Sequence, residues 1–334
     1  MAPSSQATRG AVLTLPPPTD APAAAGCLLG LALGDALGAP FEGGPPRGTE
    51  PIDRLLAADT SLQWTDDTHM MLALADALVA RDLTVDPQHL GDTFARAYRH
   101  QPWRGYGSGP PRIFAMASQG RSYVEAAASL FGGSGSFGNG AAMRCAPVVV
   151  AGWPDATRIW HLAAEQARVT HSHPEGVDGA VLLSEVLRLA MATPPAAPLT
   201  LDGSAGAPPP LRSAALRDAW DALRDASAGA TRADDRRGLL ELARDLGTSV
   251  AARASVPAAI AVALHAPDAV VGTVRAAVGL GGDTDTVAAM AGAITGAHLG
   301  VASIPPRLLG RLEARERITS AARALARASQ ANGH

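Results

Sequence analysis

The chain has 334 residues, of which 47% are apolar and only 4% aromatic, and it carries a formal net charge of −3. A core of that size made from Ala, Leu and Val favours helices over sheets, and the small net charge excludes a global pull toward nucleic acid or an acidic membrane surface. All 28 basic residues are arginine, which excludes every lysine chemistry, from Schiff bases to P-loop phosphate binding.

Residues 1–25, rich in Pro, Ala, Ser and Thr, read as a disordered tail, and one domain is expected over 26–328. The apolar piece at 11–15 is too short for a signal-peptide core. No apolar run reaches the ~20 residues that span a bilayer; the best candidate, 27–41, is broken by Asp35. The two cysteines, Cys27 and Cys145, form no C-x-x-C, so a reducing, cytoplasmic setting is expected.

Residues 26–37 are predicted to be helical, with Gly26, Gly30, Gly34 and Gly38 on one face where another backbone can approach. Asp35, in apolar company, needs a partner, such as a neighbouring turn. Next comes W-T-D-D-T-H, 64–69, directly before an apolar helical run at 70–79. Adjacent Asp66 and Asp67 exceed what a helix cap requires.

A helix is expected at 85–100, a loop R-G-Y-G-S-G-P-P at 104–111, and short helical pieces at 113–117 and 123–130. The segment G-G-S-G-S-F-G-N-G, 132–140, is a glycine-rich loop leading into Arg144. Successive N–H groups in such a loop make an anion-binding concavity at a helix start. A diphosphate fits there, with Phe137 free to stack on a base and Arg144 to pair with phosphate or a neighbouring acid; a plain surface connection is the alternative. The helix at 160–169 ends in T-H-S-H-P-E-G, 170–176, where the two histidines lie on a loop and give no helical metal face.

Further helices are expected at 175–191, 211–223, 239–250, 257–264 and 270–278, around a Pro/Ala-rich insertion or surface loop at 193–210 and a polar stretch at 230–238. G-G-D-T-D-T, 281–286, then opens an uncharged, small-residue helix at 287–299. Ile304-Pro305-Pro306 breaks the chain before a last helix, 307–327, whose six arginines read as a solvated face. No alternating strand pattern occurs, so the expected fold is all-α: one compact domain of about a dozen helices with the acidic and glycine loops at one end.

The chemistry concentrates in two acidic loops. The glycines of 281–286 allow a tight turn with positive φ. Asp283 and Asp285 could be caps, but the repeat of the pattern at Asp66 and Asp67 argues for more. Four carboxylates in one buried place repel unless protonated or neutralised by cations. Hard divalent ions such as Mg²⁺ and Mn²⁺ take oxygen ligands, and four carboxylates match the charge of two such ions about 3.5–4 Å apart, sharing a bridging carboxylate. Asp285 is the candidate for that bridge. The letters D-T-D-T-V also match haloacid-dehalogenase phosphatases, but that chemistry needs a preceding buried strand and a lysine, and neither is present.

Taken together, G-D-A-L-G-A-P-F-E (34–42), W-T-D-D-T (64–68), G-S-F-G-N-G-A-A-M-R (135–144), T-H-S-H-P (170–174) and G-G-D-T-D-T (281–286) resemble the motifs of the ADP-ribosylglycohydrolase family, in the same order. The resemblance implies an all-α hydrolase with a binuclear Mg²⁺ or Mn²⁺ centre at one end. It acts on the glycosidic bond between ADP-ribose and a protein or small-molecule acceptor, reversing ADP-ribosylation. It implies metal ligands Glu42, Thr65, Asp66, Asp67, Asp283, Asp285 and Thr286, with Glu42 or Asp66 as general acid or base. ADP-ribose is expected along Ser134, Gly135, Ser136, Phe137, Gly138, Asn139 and Gly140, with His171 nearby. Where the family often has a threonine after R-G-Y-G, this chain has Pro110-Pro111. The rival expectations are a hydrolase of another small ADP-ribosyl or N-glycoside metabolite, and a non-catalytic ADP-ribose-binding relative. A monomer acting without nucleic acid or membrane is expected.

Overall fold

The structure is a computed structural model that describes residues 21–201, 208–229, 236–266 and 269–332. Among these, the chain forms sixteen α-helices: α1 (Ala21–Gly38), α2 (Glu50–Ala57), α3 (Asp66–Ala80), α4 (Pro87–His100), α5 (Gly109–Ser118), α6 (Tyr123–Ser129), α7 (Ala146–Gly152), α8 (Ala156–Arg168), α9 (Pro174–Ala192), α10 (Ala214–Gly229), α11 (Arg237–Leu246), α12 (Ala252–His265), α13 (Val270–Leu280), α14 (Thr284–Leu299), α15 (Pro306–Arg311) and α16 (Arg315–Asn332). No strand forms among the described residues, only isolated backbone bridges. The fold is all-α, as the composition requires.

The centre is a seam between α1 and α14. Their glycines remove the side chains that would hold two helices apart. A methyl group on Gly26 would lie 2.2 Å from Gly296 O, one on Gly30 2.3 Å from Gly292 O, and one on Gly34 2.1 Å from Ala288 O. At the far end, a methyl on Gly38 would lie 2.5 Å from Asp285 Cα. The pairing order makes the helices antiparallel, so the C-terminus of α1 meets the N-terminus of α14. Helix α14 is buried from Thr284 to His298, and α9, buried from Gly176 to Ala190, packs beside it with α12. Amphipathic helices such as α4, α8 and α11 lie outside.

Several expectations shift. The tail ends earlier than residue 25, because α1 begins at Ala21 and buries Ala24 and Ala25; residues 1–20 lie outside the described residues. By length and composition Pro22–Phe41 could cross a membrane, but 89% of that window is buried within the protein. Pro110 and Pro111 belong to the first turn of α5 and not to the loop before it. There prolines cost no hydrogen bond, since the first amides of a helix have no internal partner.

The insertion at 193–210 is fastened rather than loose over its described part: Leu199 and Leu201 are buried, and the carbonyls of Pro194 and Ala197 meet His298 Nε2 at 3.2 and 3.1 Å. Residues 202–207, and 230–235 of the polar stretch, lie outside the described residues. The last helix is two helices. The chain leaves the helical path after Arg311, and Arg311 and Glu313 bracket Leu62, whose N–H donates to Arg311 O and whose carbonyl accepts from Glu313 N. The arginine face there is not simply solvated either: Arg311 donates to the carbonyls of Leu55, Leu56 and Thr60, and Arg307 to those of Ala57 and Ala58.

Gly34→Val tests the seam. Backbone contact with Ala288 leaves no room for the side chain, and overpacking at a fixed backbone should cost at least ~3 kcal/mol in urea unfolding, or prevent folding. Gly238→Ala on exposed α11, where a methyl meets nothing within 4 Å, should be neutral or stabilising by up to ~1 kcal/mol. Equal unfolding midpoints for the two variants would refute the seam.

Candidate functional site

Three helix ends meet where the seam closes. Asp35, in the last turn of α1, accepts hydrogen bonds from Thr65 N (2.9 Å), Thr68 N (3.0 Å) and Thr68 Oγ1 (2.6 Å). It thereby ties the N-terminus of α3 to α1. Thr65 is the N-cap of α3, its Oγ1 accepting from Asp67 N, so Asp66 and Asp67 are free of capping duty. At the start of α14, Thr284 Oγ1 donates to Gly38 O at 3.0 Å. Asp283 holds the N-cap position there but makes no capping bond; its Oδ2 accepts from Asn139 Nδ2 at 2.6 Å. Capping therefore does not explain either acidic pair.

The loops behind these ends are held by backbone pairing. Gly282 pairs with the Gly43–Gly44 backbone, Gly43 N donating to Gly282 O and Gly282 N to Gly44 O, both at 2.8 Å. Asp283 N donates to Thr248 O at 2.8 Å. Gly281 and Gly282 have φ of 73° and 74°, and a methyl on Gly282 would lie 2.3 Å from Thr248 Oγ1. The glycine loop is fastened beside them: Asn139 N donates to Val250 O and Ala252 N to Phe137 O.

The result is one cavity of about 260 Å³. Glu42, Asp66, Asp67, Asp283, Asp285 and Thr286 line it, facing Ser136, Gly138, Asn139, Gly140 and His171. Glu42, Asp283 and Asp285 each offer an oxygen, all within 4.8 Å of one another. A larger hollow of about 470 Å³ beside α3 and α4 has one acid in its lining, Asp76, which is paired with Arg317.

Crowding and burial favour the neutral acids in the protein alone. Burial, then the charge of Asp283, pushes Asp285 up to about 9. Burial, then Asp35, pushes Asp66 up to about 7. Asp67 is held well above the ordinary carboxyl range by burial, Asp35 and Asp285. Glu42 is raised by burial and Asp283, and Asp35 rises to about 6 by burial in spite of its bonds from Thr68 and Thr65. Asp67 Oδ2 is buried without a hydrogen-bond partner among the described residues. An oxygen-only donor set with an unpartnered carboxylate oxygen fits a hard divalent cation.

Not every expected residue faces the cavity. Thr65 stands behind Asp66 as the helix cap. Ser134, Gly135 and Phe137 are outside the lining: Ser134 Oγ donates to Phe131 O, and Phe137 meets His173 edge-on at 6.1 Å. Phe131 lines the cavity instead. The glycine loop does not lead straight into a helix; a short 3₁₀ turn, Asn139–Ala141, intervenes, and α7 starts at Ala146. Arg144 pairs with no acid among the described residues; it is fully buried, lines the cavity, and donates to Gln166, Thr170 and Met70 Sδ.

Sequence reasoning missed Arg104 and the positioning role of Asn139. Arg104 stacks on Trp64 at 3.7 Å, forks onto Glu313, and its carbonyl accepts from Asp66 N at 2.7 Å. The R-G-Y-G letters were the available signal, but their partner lies 209 residues away.

A sequence profile of the ADP-ribosylglycohydrolase family matches residues 16–334. The ADP-ribosylhydrolase ARH3 of Danio rerio is 34% identical over 323 residues, covering 84% of this chain and 83% of the relative. The Homo sapiens protein of the same name is 31% identical over 318 residues, covering 84% and 86%. An ADP-ribosylarginine hydrolase of Pseudomonas putida is 32% identical over 188 residues, covering 53% of this chain and 49% of its own. A solved structure described as an ADP-ribosylglycohydrolase-related protein complex matches with a TM-score of 0.62 and 28% identity, over 92% of this chain and 98% of its own.

The raised carboxyls set a pH dependence. Above about pH 4, where unfolded carboxyls ionise, the folded cation-free protein binds protons that the unfolded chain has released. Its stability therefore falls as pH rises from there through about 9, the value for Asp285. A cation replaces those protons. Thermal unfolding in chelator should show the midpoint falling between pH 5 and 9, and the gain from added Mg²⁺ growing over the same interval. A gain from Mg²⁺ that is independent of pH would contradict the cluster.

Proposed function

The chain belongs to the ADP-ribosylglycohydrolase family, and from that membership we propose that it hydrolyses the glycosidic bond joining ADP-ribose to a modified acceptor, so reversing ADP-ribosylation. The observation that carries this reading is the single cavity in which an oxygen-only acid cluster, built from three helix ends, faces the glycine loop.

Glu42, Asp66, Asp67, Asp283, Asp285 and Thr286, which line the cavity, are the residues that would hold divalent cations, two Mg²⁺ or Mn²⁺ in this reading, with Thr65 supporting Asp66 and Asp67 as their helix cap. Such ions supply, when bound, a Lewis acid that orients ribose hydroxyls and lowers the pKa of water. The chain's own groups do the rest. Cleavage at C1 of the distal ribose builds positive charge on the sugar, and the carboxylates surround the place where it forms. Water oxygen bonds to C1, the bond from C1 to the acceptor breaks, and a proton passes to the departing group. Glu42 and Asp66, both lining the cavity and both raised, are the groups assigned to move that proton.

Asn139 keeps Asp283 in register through its Nδ2 donor, and Ser255 Oγ, 3.0 Å away, holds Asn139. Ser136, Gly138, Asn139, Gly140 and His171, which line the cavity, receive the diphosphate, and the exposed Phe137, just outside the lining, supports the adenine. The acceptor is an ADP-ribosylated protein side chain or small molecule, and the enzyme works as a cytoplasmic monomer with no part for nucleic acid or membrane.

Release of ADP-ribose from arginine-, serine- and small-molecule-linked substrates, with and without chelator, tests the proposal. Wild type should release ADP-ribose from at least one of them. Asp283→Ala, Asp285→Ala or chelator should reduce release at least ~100-fold, more than outer-shell changes usually cost. A wild-type protein that binds ADP-ribose with Mg²⁺ but releases it from none of the three would favour the non-catalytic reading. Glu42→Gln and Asp66→Asn separate the proton-transfer roles: the variant that loses turnover while keeping ADP-ribose affinity identifies the acid–base group.

A further inference from the structure

Beside the glycine loop a buried polar chain runs from Arg144 through Gln166 and Thr170 to His171; Arg144 and Thr170, which also border the cavity, have no part in the reaction as described. Arg144 is fully buried, with its guanidinium 4.5 Å from the Phe94 ring. Its Nε donates to Gln166 Oε1 at 2.8 Å, and its Nη2 donates to Gln166 O at 3.0 Å and Thr170 Oγ1 at 2.8 Å. Gln166 is oriented in turn, since its Nε2 donates to Ala141 O at 2.9 Å. Thr170 Oγ1 lies 2.8 Å from His171 Nδ1.

These contacts leave one arrangement of protons. Arginine has only donors, so Thr170 Oγ1 must accept from it. The threonine hydroxyl keeps one proton of its own, and His171 Nδ1 is the one acceptor in reach among the described residues. If Nδ1 also carried a proton, the Thr170 hydroxyl would be a buried donor without a partner, which is costly. Nδ1 is therefore bare and Nε2 carries the proton. The Nε2 edge lies against the glycine loop: a methyl on Gly140 would lie 3.3 Å from it and one on Gly138 3.7 Å. Nε2 has no hydrogen-bond partner among the described residues, and His171 lines the cavity.

We infer that Arg144 and Thr170 are positioning residues that fix His171 as its Nε2–H tautomer, so that His171 offers the bound ADP-ribose a donor for one of its oxygens and is not a base. Burial, and then the charge of Arg144, hold the ring neutral by pushing its pKa down to about 3, in keeping with that assignment. The tautomer follows from the protein alone; the identity of the ligand rests on the function proposed above.

The test is long-range ¹H–¹⁵N NMR of the full chain labelled at histidine nitrogens, at neutral pH and without ligand, followed by calorimetric titration with ADP-ribose. Wild type should show His171 protonated at Nε2 alone. Thr170→Val, nearly isosteric, should lose that fixed tautomer and bind ADP-ribose about tenfold more weakly, the effect of one lost hydrogen bond. Thr170→Ser should retain both the tautomer and the affinity, which a merely space-filling role for the threonine methyl would not give. A wild-type ring protonated at Nδ1, or a Thr170→Val protein with the Nε2–H ring and wild-type affinity, would overturn the inference. An Nε2–H ring in a protein that binds no ADP-ribose would overturn the proposed function and the ligand assigned to His171, while the tautomer assignment would stand.

Discussion

Backbone contact along the α1–α14 seam is the constraint on which everything else depends. Two helices normally stand 8–10 Å apart because side chains separate them. Here Gly26, Gly30, Gly34 and Gly38 on one helix meet Gly296, Gly292, Ala288 and Asp285 on the other, and added methyl groups would strike carbonyl oxygens or Cα atoms. The antiparallel pairing fixes the polarity of the centre. It delivers the last turn of α1 to the first turn of α14 and so puts Asp35 and Glu42 beside Asp283 and Asp285. A side chain anywhere in the seam would move the two acidic ends relative to each other, and the site lies at its end.

The site is electrostatically unfavourable as the protein builds it. Carboxyls from three helix ends are brought together, and burial with mutual repulsion raises most of them above the ordinary range. The protein invests further bonds in holding this arrangement: Asp35 takes three donors from the start of α3, and Asn139 is shared between Ser255 and Asp283. A cluster held so firmly against its own repulsion is suited to binding cations. The buried Arg144 is directed to the Thr170–His171 side, where we infer that it governs a donor and not a carboxylate.

The sequence made the helical class legible because its composition left no material for sheets, and it made the acids legible because each pair stood at the head of a largely apolar helix. It also showed the glycine spacing of the seam, although not which helix answered it. What stayed hidden depends on distant partners. The last helix divides because residues 311–313 pair with Leu62, which no local pattern in 307–327 shows. The glycine loop before Arg144 suggested phosphate or a neighbouring acid as its partner, but not Gln166 and Thr170, which take its Nε and Nη2 donors. Phe137 stood out by residue type, whereas Phe131, six residues earlier in the chain, lines the cavity.

The seam assembles these helix ends into one oxygen-lined pocket, which we propose holds divalent cations. Anomalous scattering from crystals grown with Mn²⁺ tests it most directly. Two anomalous peaks are expected between Glu42, Asp66, Asp67, Asp283 and Asp285, with Asp285 touching both ions. Saturating Mn²⁺ with no peak in that cavity, or peaks only at other surfaces, would contradict it.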